Sequence, residues 1–285
     1  MSLLDIIIAL SVAILWGVNF VAIKLGVMYM PPLTLMALRF LLTAVLLLPW
    51  LRLVNRRQWR PIVWIALTMG VGYFCILFIG MHGMSAGEST IIIQVQVPFA
   101  AIMAYFVFRE RLTWQIIAGT IIAMIGVMVT VGLPQRVSTL DAALLIVIAA
   151  IFWAVSANQI RALGKIHPLA LNAAYSLLAF PMVLIMAYGF EYRGTIDHFA
   201  NYFSYWQIYV SLAFMVIVST IYCYSMWFRL LVRNPVGLVV PFILLEPPVA
   251  LIVSHFVTGE AVYWHTLLGG LLCIIGLAFV VWRCG

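Results

Sequence analysis

The chain has 285 residues, of which 66% are hydrophobic and only 8% are charged, and its mean hydropathy is +1.18. A soluble domain is about half apolar and roughly a quarter charged, so this composition excludes a water-soluble globule and indicates an integral membrane protein. The net charge of +7 does not indicate nucleic-acid binding, because membrane proteins carry Lys and Arg in their loops to set topology.

Apolar stretches of about 20 residues, the length of a helix that crosses a bilayer, recur along the whole chain. The first begins at the amino terminus, where the basic segment and the small-residue cleavage site of a secretory signal are lacking. The predicted fold class is therefore all-α and integral to the membrane, with ten transmembrane helices. Their approximate ranges are 4–27, 33–51, 61–82, 87–108, 115–132, 140–160, 169–189, 206–228, 236–257 and 262–282.

Cysteine usage predicts neither a disulfide framework nor a metal site. The four cysteines lie in or at the end of apolar segments, and no C-x-x-C pair occurs. The histidines show no ligand spacing either, so no metal and no cofactor are expected.

Positive charge is distributed unevenly between the loops on the two sides of the predicted bundle. The loops after the second, fourth, sixth and eighth helices, together with the carboxyl terminus, hold most of the 15 Lys and Arg residues. These residues are Arg52, Arg56, Arg57, Arg60, Arg109, Arg111, Arg161, Lys165, Arg229, Arg233 and Arg283. The opposite loops hold only Lys24, Arg136 and Arg193. Because cytoplasmic loops are enriched in Lys and Arg, both termini are predicted to lie in the cytoplasm.

The two halves of the chain, 1–135 and 138–285, align with each other. The matches occur at an offset of 137 residues near the start of each half and at an offset of 150 residues later. The aligned pairs include Trp16 with Trp153, Pro31 with Pro168, Pro98 with Pro248, Glu110 with Glu260, Gly119 with Gly269 and Gly126 with Gly276. Five helices in each half place the start of the second half on the opposite side of the membrane. The halves are therefore predicted to be two inverted five-helix repeats, an architecture of secondary transporters.

Small residues occupy one face of the fifth and of the tenth predicted helix. They are Gly119, Ala123 and Gly126 in the fifth helix and Gly269, Cys273 and Gly276 in the tenth. Because small residues let helix backbones approach closely in lipid, these two faces are expected to pack against each other or against a facing helix.

Three segments carry a resemblance to a known family. Residues 14–40 ("ILWGVNFVAIKLG…"), 94–127 ("QVQVPFAAIMAYF…") and 244–277 ("LLEPPVALIVSHF…") resemble the EamA-type drug/metabolite transporters. The first two are particularly similar to bacterial exporters of cysteine and O-acetylserine. One departure is Arg109, where the family usually has Gly before the Glu. The resemblance implies a multi-pass protein of the bacterial inner membrane that exports small metabolites, with amino acids as the expected class.

A carboxylate inside an apolar segment is the most specific candidate for a functional residue. Glu246 is followed at once by Pro247 and Pro248. A charge near the bilayer centre costs about 2.5–3.5 kcal/mol, so the carboxyl group is expected to be protonated, paired or facing water. The prolines deprive the carbonyls of Ile243 and Leu244 of their helical donors, which is tolerated where backbone lines a wet cavity. Glu246 is predicted to bind a substrate ammonium or to carry a proton; the alternative is a protonated carboxyl group that only fixes packing.

Further polar and aromatic residues complete the predicted substrate site. Arg39 is either a clamp for a substrate carboxylate or a cation that reaches the outer interface. One of Gln94 and Gln96 is expected to face the cavity while the other bonds to a neighbouring helix. The remaining candidates, for which packing is the alternative, are Trp16, Asn19, Trp153, Ser156 and Tyr222.

Three functions are therefore compatible with these residues. The first is a secondary transporter that exports small metabolites by alternating access, with a small-molecule substrate, protons as a possible coupling ion, and the lipid bilayer as its surroundings. The second, on the same fold, is a multidrug or cationic-compound exporter, because a membrane carboxylate is a natural partner for a cation. The third is an intramembrane hydrolase, because residues 83–87 match G-x-S-x-G around Ser85, with His82 nearby.

Overall fold

The computed structural model of the protein describes most of the chain. The described residues are 1–82, 89–90, 92–109, 113–131, 140–192, 199–258 and 264–281. Within these ranges the backbone forms helices joined by short turns and contains no strand. The predicted all-α class is confirmed.

Apolar helices follow one another along the described chain. They are α1 (Leu3–Val27), α2 (Pro32–Leu46), α3 (Arg56–Met81), α4 (Ile93–Phe108), α5 (Trp114–Val131), α6 (Leu140–Leu163), α7 (Pro168–Phe190), α8 (Trp206–Arg233), α9 (Val236–Val257) and α10 (Trp264–Val281). Of the helices described, α1, α3, α6, α7, α8 and α9 have the length and hydropathy to cross a membrane. The apolar parts of α2, α4, α5 and α10 are shorter.

Two predicted helices have carboxyl ends that differ from the structure by five residues, and proline accounts for both. The second helix was expected to reach residue 51, but α2 ends at Leu46 and a 3-10 segment, Leu48–Leu53, follows. This segment contains Pro49, which has no N–H to continue the helical ladder. The eighth helix extends beyond residue 228 to Arg233 and ends before Pro235, because the residue that precedes a proline is disfavoured in helical geometry.

Two of the long helices contain π-helical stretches. They span Ala66–Cys75 in α3 and Phe214–Tyr224 in α8. In α8 the Thr220 hydroxyl donates to the carbonyl of Met215, five residues earlier, at 2.7 Å. A π-helical turn holds more residues than an α-helical turn and is frequent at functional sites. It therefore changes which side chains of α8 face the interior.

Two 3-10 segments lie just before the polar positions of α4 and α9. Ile93–Val95 ends before Gln96, and Val240–Leu245 ends before Glu246. The Glu246 N–H donates to the carbonyl of Ile243. Pro247, four residues after Ile243, cannot supply the usual α-helical donor, and the 3-10 bond from Glu246 takes its place.

The helices α5 and α10 pack through their glycine faces. A Cβ atom added at Gly126 would lie 2.7 Å from the carbonyl oxygen of Gly269, and one added at Gly276 would lie 2.6 Å from that of Gly119. The predicted contact between these two faces is confirmed. Because the later residue of α5 meets the earlier residue of α10, the two helices run antiparallel.

A second close approach occurs where α1 crosses α9. A Cβ atom added at Gly17 would lie 2.7 Å from the Cβ atom of Val249 and 2.9 Å from the carbonyl oxygen of Glu246. The absence of a side chain at Gly17 therefore allows α1 to lie directly against the turn that carries Glu246.

Candidate functional site

A small cavity lies where α1, α3, α4, α6, α8 and α9 meet. Its walls are formed by Trp16, Asn19, Phe20, Ile23, Tyr73, Phe74, Leu77, Gln96, Trp153, Tyr224, Ile243 and Glu246. The volume open to the centre of a water molecule is about 20 Å³. A cavity needs roughly 10–15 Å³ on this measure to hold one water. The cavity therefore has room for about one water molecule and is too small for an amino acid.

Glu246 supplies the carboxylate of this cavity. Its side chain is only 3% exposed, and it begins the α-helical part of α9 directly after the 3-10 segment. The Gln94 amide lies beside the carboxyl group, but neither amide atom of Gln94 makes a hydrogen bond of ordinary geometry. The Glu246 carboxyl group therefore faces a cavity at depth without a cationic partner among the residues that line it.

Three lining residues hold buried polar atoms that make no hydrogen bond within the protein. They are the indole Nε1 of Trp16 and the amide oxygens of Asn19 and Gln96. A buried polar atom left unpaired costs roughly 1–3 kcal/mol, so these atoms are available to a ligand or to water. With the Glu246 carboxylate, the lining presents mostly oxygen acceptors, which match the three N–H donors of an ammonium group.

Aromatic rings form the rest of the wall. The ring of Trp16 lies 4.7 Å from that of Tyr224 and 5.1 Å from that of Trp227 between centroids, and Trp153 lies 6.1 Å from Trp227. Trp227 therefore joins the two tryptophans that align between the halves of the chain. Ring faces carry partial negative charge and attract cations, so the aromatic wall adds to the preference of the oxygen acceptors for a positive group.

Most of the predicted site residues meet at this cavity. Trp16, Asn19, Gln96, Trp153 and Glu246 line it. Gln94 lies beside Glu246 but behind the lining. The expectation that one glutamine of α4 faces the cavity agrees with the position of Gln96.

Three predicted site residues lie elsewhere. Ser156 is buried and donates its hydroxyl hydrogen to the carbonyl of Trp153 at 2.8 Å. Tyr222 is 43% exposed, and its hydroxyl lies 3.2 Å from that of Ser11. Arg39 is fully buried in α2 but does not line the cavity. The placement of Tyr222 at the cavity is therefore corrected: the π-helical stretch of α8 turns Tyr224 inward instead.

Aromatic residues of α3 belong to the site but were not predicted from the sequence. Tyr73, Phe74 and Leu77 line the cavity. The signal that identifies them is the repeat: at the offset of 150 residues, Phe74 aligns with Tyr224, and both face the cavity. Extending the repeat back into the third helix would have indicated this wall.

The remaining sequence features concern Ser85, metal ligands and cysteines. The G-x-S-x-G segment with Ser85 lies outside them. In the part of the chain that the structure describes, no three His, Cys, Asp or Glu side chains are arranged to hold a metal ion. The thiols of Cys75, Cys223 and Cys273 are free and buried.

Known proteins share the sequence pattern and the fold of this chain. The EamA-like transporter family matches residues 3–132 and again residues 140–282. A "Probable amino-acid metabolite efflux pump" of Salmonella typhimurium (strain LT2) is 32% identical over 287 residues, which cover 97% of this chain and 94% of that protein. A protein of the same description from Escherichia coli (strain K12) is 30% identical, with 97% and 94% covered. An uncharacterised transporter of Archaeoglobus fulgidus is 27% identical, with 97% and 98% covered.

A solved crystal structure has the same fold. It superposes with a TM-score of 0.81 over 99% of this chain and 98% of its own chain, at 15% sequence identity. At this identity the similarity establishes the fold alone.

Proposed function

Because the chain belongs to the EamA-like transporter family, we propose that it exports small metabolites, most of all amino acids, by alternating access around the Glu246 cavity. The family and the names of the relatives indicate a membrane efflux transporter rather than the hydrolase that Ser85 suggested. The relatives named amino-acid metabolite efflux pumps are similar over nearly the whole chain, which supports amino acids as the substrate class.

The observation that carries the proposal is the buried Glu246 carboxyl group in the wall of a small cavity. The oxygen acceptors of Asn19 and Gln96 and the indole rings beside them suit a primary ammonium group. An intramembrane carboxylate that faces a cavity marks a substrate or proton pathway in membrane transporters. In the proposed cycle Glu246 binds the substrate ammonium and releases it in exchange for a proton. Alternatively, transport is driven by the substrate gradient alone.

The arrangement of the helices supports two inverted repeats of five transmembrane helices, 1–135 and 138–285. The family matches twice, once in each half. The antiparallel contact of α5 with α10 joins the last helix of each half. The 3-10 segments end at Val95 and Leu245, which align at the offset of 150 residues. Inverted repeats around a midplane site allow one half to rock against the other.

The orientation follows from the loop charges. Lys and Arg are enriched in the loops after the second, fourth, sixth and eighth helices, which supports a cytoplasmic position for both termini in the bacterial inner membrane. A reporter fused to either terminus tests this orientation, and a periplasmic carboxyl terminus would contradict it.

A second function on the same fold is the export of lipophilic cations. The cavity wall offers a carboxylate and aromatic rings and contains no Lys or Arg. This lining suits a cationic compound that has no carboxylate as well as it suits the ammonium end of an amino acid.

Counterflow into liposomes that contain the purified full-length protein separates the two functions. Liposomes loaded with unlabelled cysteine or an aromatic amino acid should accumulate the labelled form, whereas protein-free liposomes should not. A labelled lipophilic cation is tested in the same way. Accumulation of the cation without accumulation of any amino acid would contradict the first function and favour the second.

A further inference from the structure

Arg39 is the most deeply buried cation of the described chain. Its side chain is 0% exposed, and its Nε donates to the Thr220 hydroxyl at 2.8 Å. Its two terminal nitrogens, Nη1 and Nη2, are buried and make no hydrogen bond with any other group of the protein. A guanidinium keeps its charge at any ordinary pH, so two charged donor groups remain without an acceptor at depth.

The groups around Arg39 do not neutralise it. Its Cζ atom lies 4.6 Å from the centroid of the Phe74 ring and 6.0 Å from that of the Tyr224 ring. The hydroxyls of Thr43, one helical turn away on α2, and of Tyr175 on α7 are also buried without a partner. Burial of an uncompensated charge is unfavourable unless an oppositely charged group completes the site. Among the described residues, the groups around Arg39 are thus aromatic rings and hydroxyls, and no carboxylate pairs with it.

Two aromatic rings connect this pocket with the Glu246 cavity. Phe74 and Tyr224 line the cavity and also lie against Arg39, and their centroids are 5.7 Å apart in an edge-to-face arrangement. Tyr73 lies within electrostatic range of both Glu246 and Arg39. An acceptor-rich site and a donor-rich site are thus separated by side chains of one turn of α3 and one turn of α8.

We propose that Arg39 binds the carboxylate of the transported molecule, so that the transporter recognises both charges of a zwitterionic amino acid. This inference rests on the proposed amino-acid export. The ammonium group is held at Glu246, and the carboxylate accepts hydrogen bonds from Nη1 and Nη2 of Arg39 when the Phe74 and Tyr224 rings move apart. The paired donors of a guanidinium match the two oxygens of a carboxylate. Cations without a carboxylate are then poor substrates, which separates this protein from a cationic-compound exporter.

Ligand binding to the purified full-length protein in lipid nanodiscs tests this assignment. The fluorescence of the cavity tryptophans reports the Kd of three probes: an amino acid that the counterflow assay shows to be transported, its amide, and its N-acetyl derivative. The amide keeps the ammonium group and lacks the carboxylate, and the N-acetyl derivative has the opposite pattern. Wild-type protein should bind the amino acid about tenfold to a hundredfold more tightly than the amide, the range of charge-assisted hydrogen bonds.

Substitution of each charged residue should remove only one of these preferences. In Arg39→Gln the preference for the amino acid over the amide should fall to about one, while the preference over the N-acetyl derivative persists. Glu246→Gln should show the reverse. If Arg39→Gln does not fold, Arg39→Lys replaces it, because an ammonium keeps the charge but not the paired donor geometry, and the same preference should fall. A substitution that changes only the packing would weaken the binding of the amino acid and of both derivatives by the same factor.

Two results would overturn the assignment. If the Arg39 variant keeps the wild-type preference for the amino acid over the amide, the carboxylate binds elsewhere. If wild-type protein binds the amide as tightly as the amino acid, the carboxylate is not recognised and Arg39 does not bind it. Failure of the proposed function is recognised separately, because wild-type protein would then neither bind nor transport any amino acid, and both proposals would fall.

Discussion

Glu246 faces the cavity because of the residues on either side of it and the helix that crosses it. The 3-10 segment Val240–Leu245, which is wound more tightly than an α-helix, ends just before Glu246. Pro247 and Pro248 fit the first turn of the α-helix that follows, because residues there need no N–H donor to the preceding turn. Gly17 of α1 lies against the Glu246 carbonyl oxygen. Small substitutions at these positions are therefore expected to shift the position of the Glu246 carboxylate while leaving the carboxylate itself unchanged.

Gly17→Ala is predicted to destabilise the protein and to reduce transport. The added methyl group would lie 2.7 Å from Val249 and 2.9 Å from the Glu246 carbonyl, so α1 must move away from α9. Overpacking of this kind costs typically about 1–3 kcal/mol. The measurement is the melting temperature of the purified protein in detergent, with counterflow as a second readout.

Gly189→Ala in α7 is the matched control. A Cβ atom there meets nothing within 4 Å, and alanine is favoured over glycine in a helix by roughly 0.5–1 kcal/mol. Its melting temperature should equal or exceed that of the wild type. Equal melting temperatures for the two variants would show that α1 and α9 have room to separate, against the packing described here.

At the scale of helices, the contact between α5 and α10 joins the two halves of the molecule. At Gly126 and Gly276 the opposite backbone lies so close that no larger side chain fits at these two positions. In lipid there is no hydrophobic drive for helices to associate, so close van der Waals packing of small residues has to hold them together. Bulk at these positions is expected to separate the halves rather than to perturb the cavity directly.

Gly119→Leu and Gly276→Leu are predicted to lower the yield of folded protein several-fold. A Cβ atom at Gly276 alone would lie 2.5 Å from the backbone nitrogen of Ala123, and leucine adds three more carbons. Fluorescence-detected size-exclusion chromatography of a fusion to a fluorescent protein measures the yield. Ile121→Leu, at a position that is 53% exposed, is the control and should elute like the wild type; three equal yields would refute the interface.

The polar and aromatic residues of the site were easier to predict from the sequence than the geometry of the helices that carry them. A carboxylate before two prolines is rare enough in an apolar helix to identify Glu246, and the matched tryptophans identified Trp16 and Trp153. Tyr222 was predicted to line the site, whereas Tyr224, two residues later in the π-helical stretch of α8, lines the cavity. The π-helical stretch depends on a hydrogen bond from Thr220 and on tertiary packing, which no local pattern in the sequence reports.

The isolation of Arg39 from the cavity was also beyond sequence reasoning. Its position in α2 predicted a buried or interfacial cation, but the two rings that separate it from Glu246 come from α3 and α8. Contacts between helices that are distant in the chain decide which polar residues share a site. The sequence specified the helices and the polar residues on them, and the packing of several helices specified the site.

The whole molecule contains a small cavity lined by Glu246, a buried Arg39 behind two aromatic rings, and two halves whose last helices pack antiparallel. The cavity has room for about one water molecule, so in the proposed mechanism an amino acid enters after the halves move relative to one another. In alternating access, the residue that binds the substrate in the cavity must be exposed first to one side of the membrane and then to the other. In the proposed cycle, Glu246 is the titratable group.

The most direct measurement is amino-acid counterflow by wild-type and Glu246→Gln protein in liposomes over a range of external pH. Glutamine keeps the size of the side chain but cannot titrate or pair as an anion with an ammonium group. Loss of a charge-assisted hydrogen bond costs roughly 1.5–3 kcal/mol, so flux at limiting substrate should fall by about tenfold or more, and the remaining flux should no longer depend on pH. Asp141→Asn, an exposed acidic residue at the start of α6, is the control and should transport like the wild type. A Glu246→Gln protein that folds and transports amino acids at the wild-type rate with the wild-type pH profile would contradict the central role of this carboxylate.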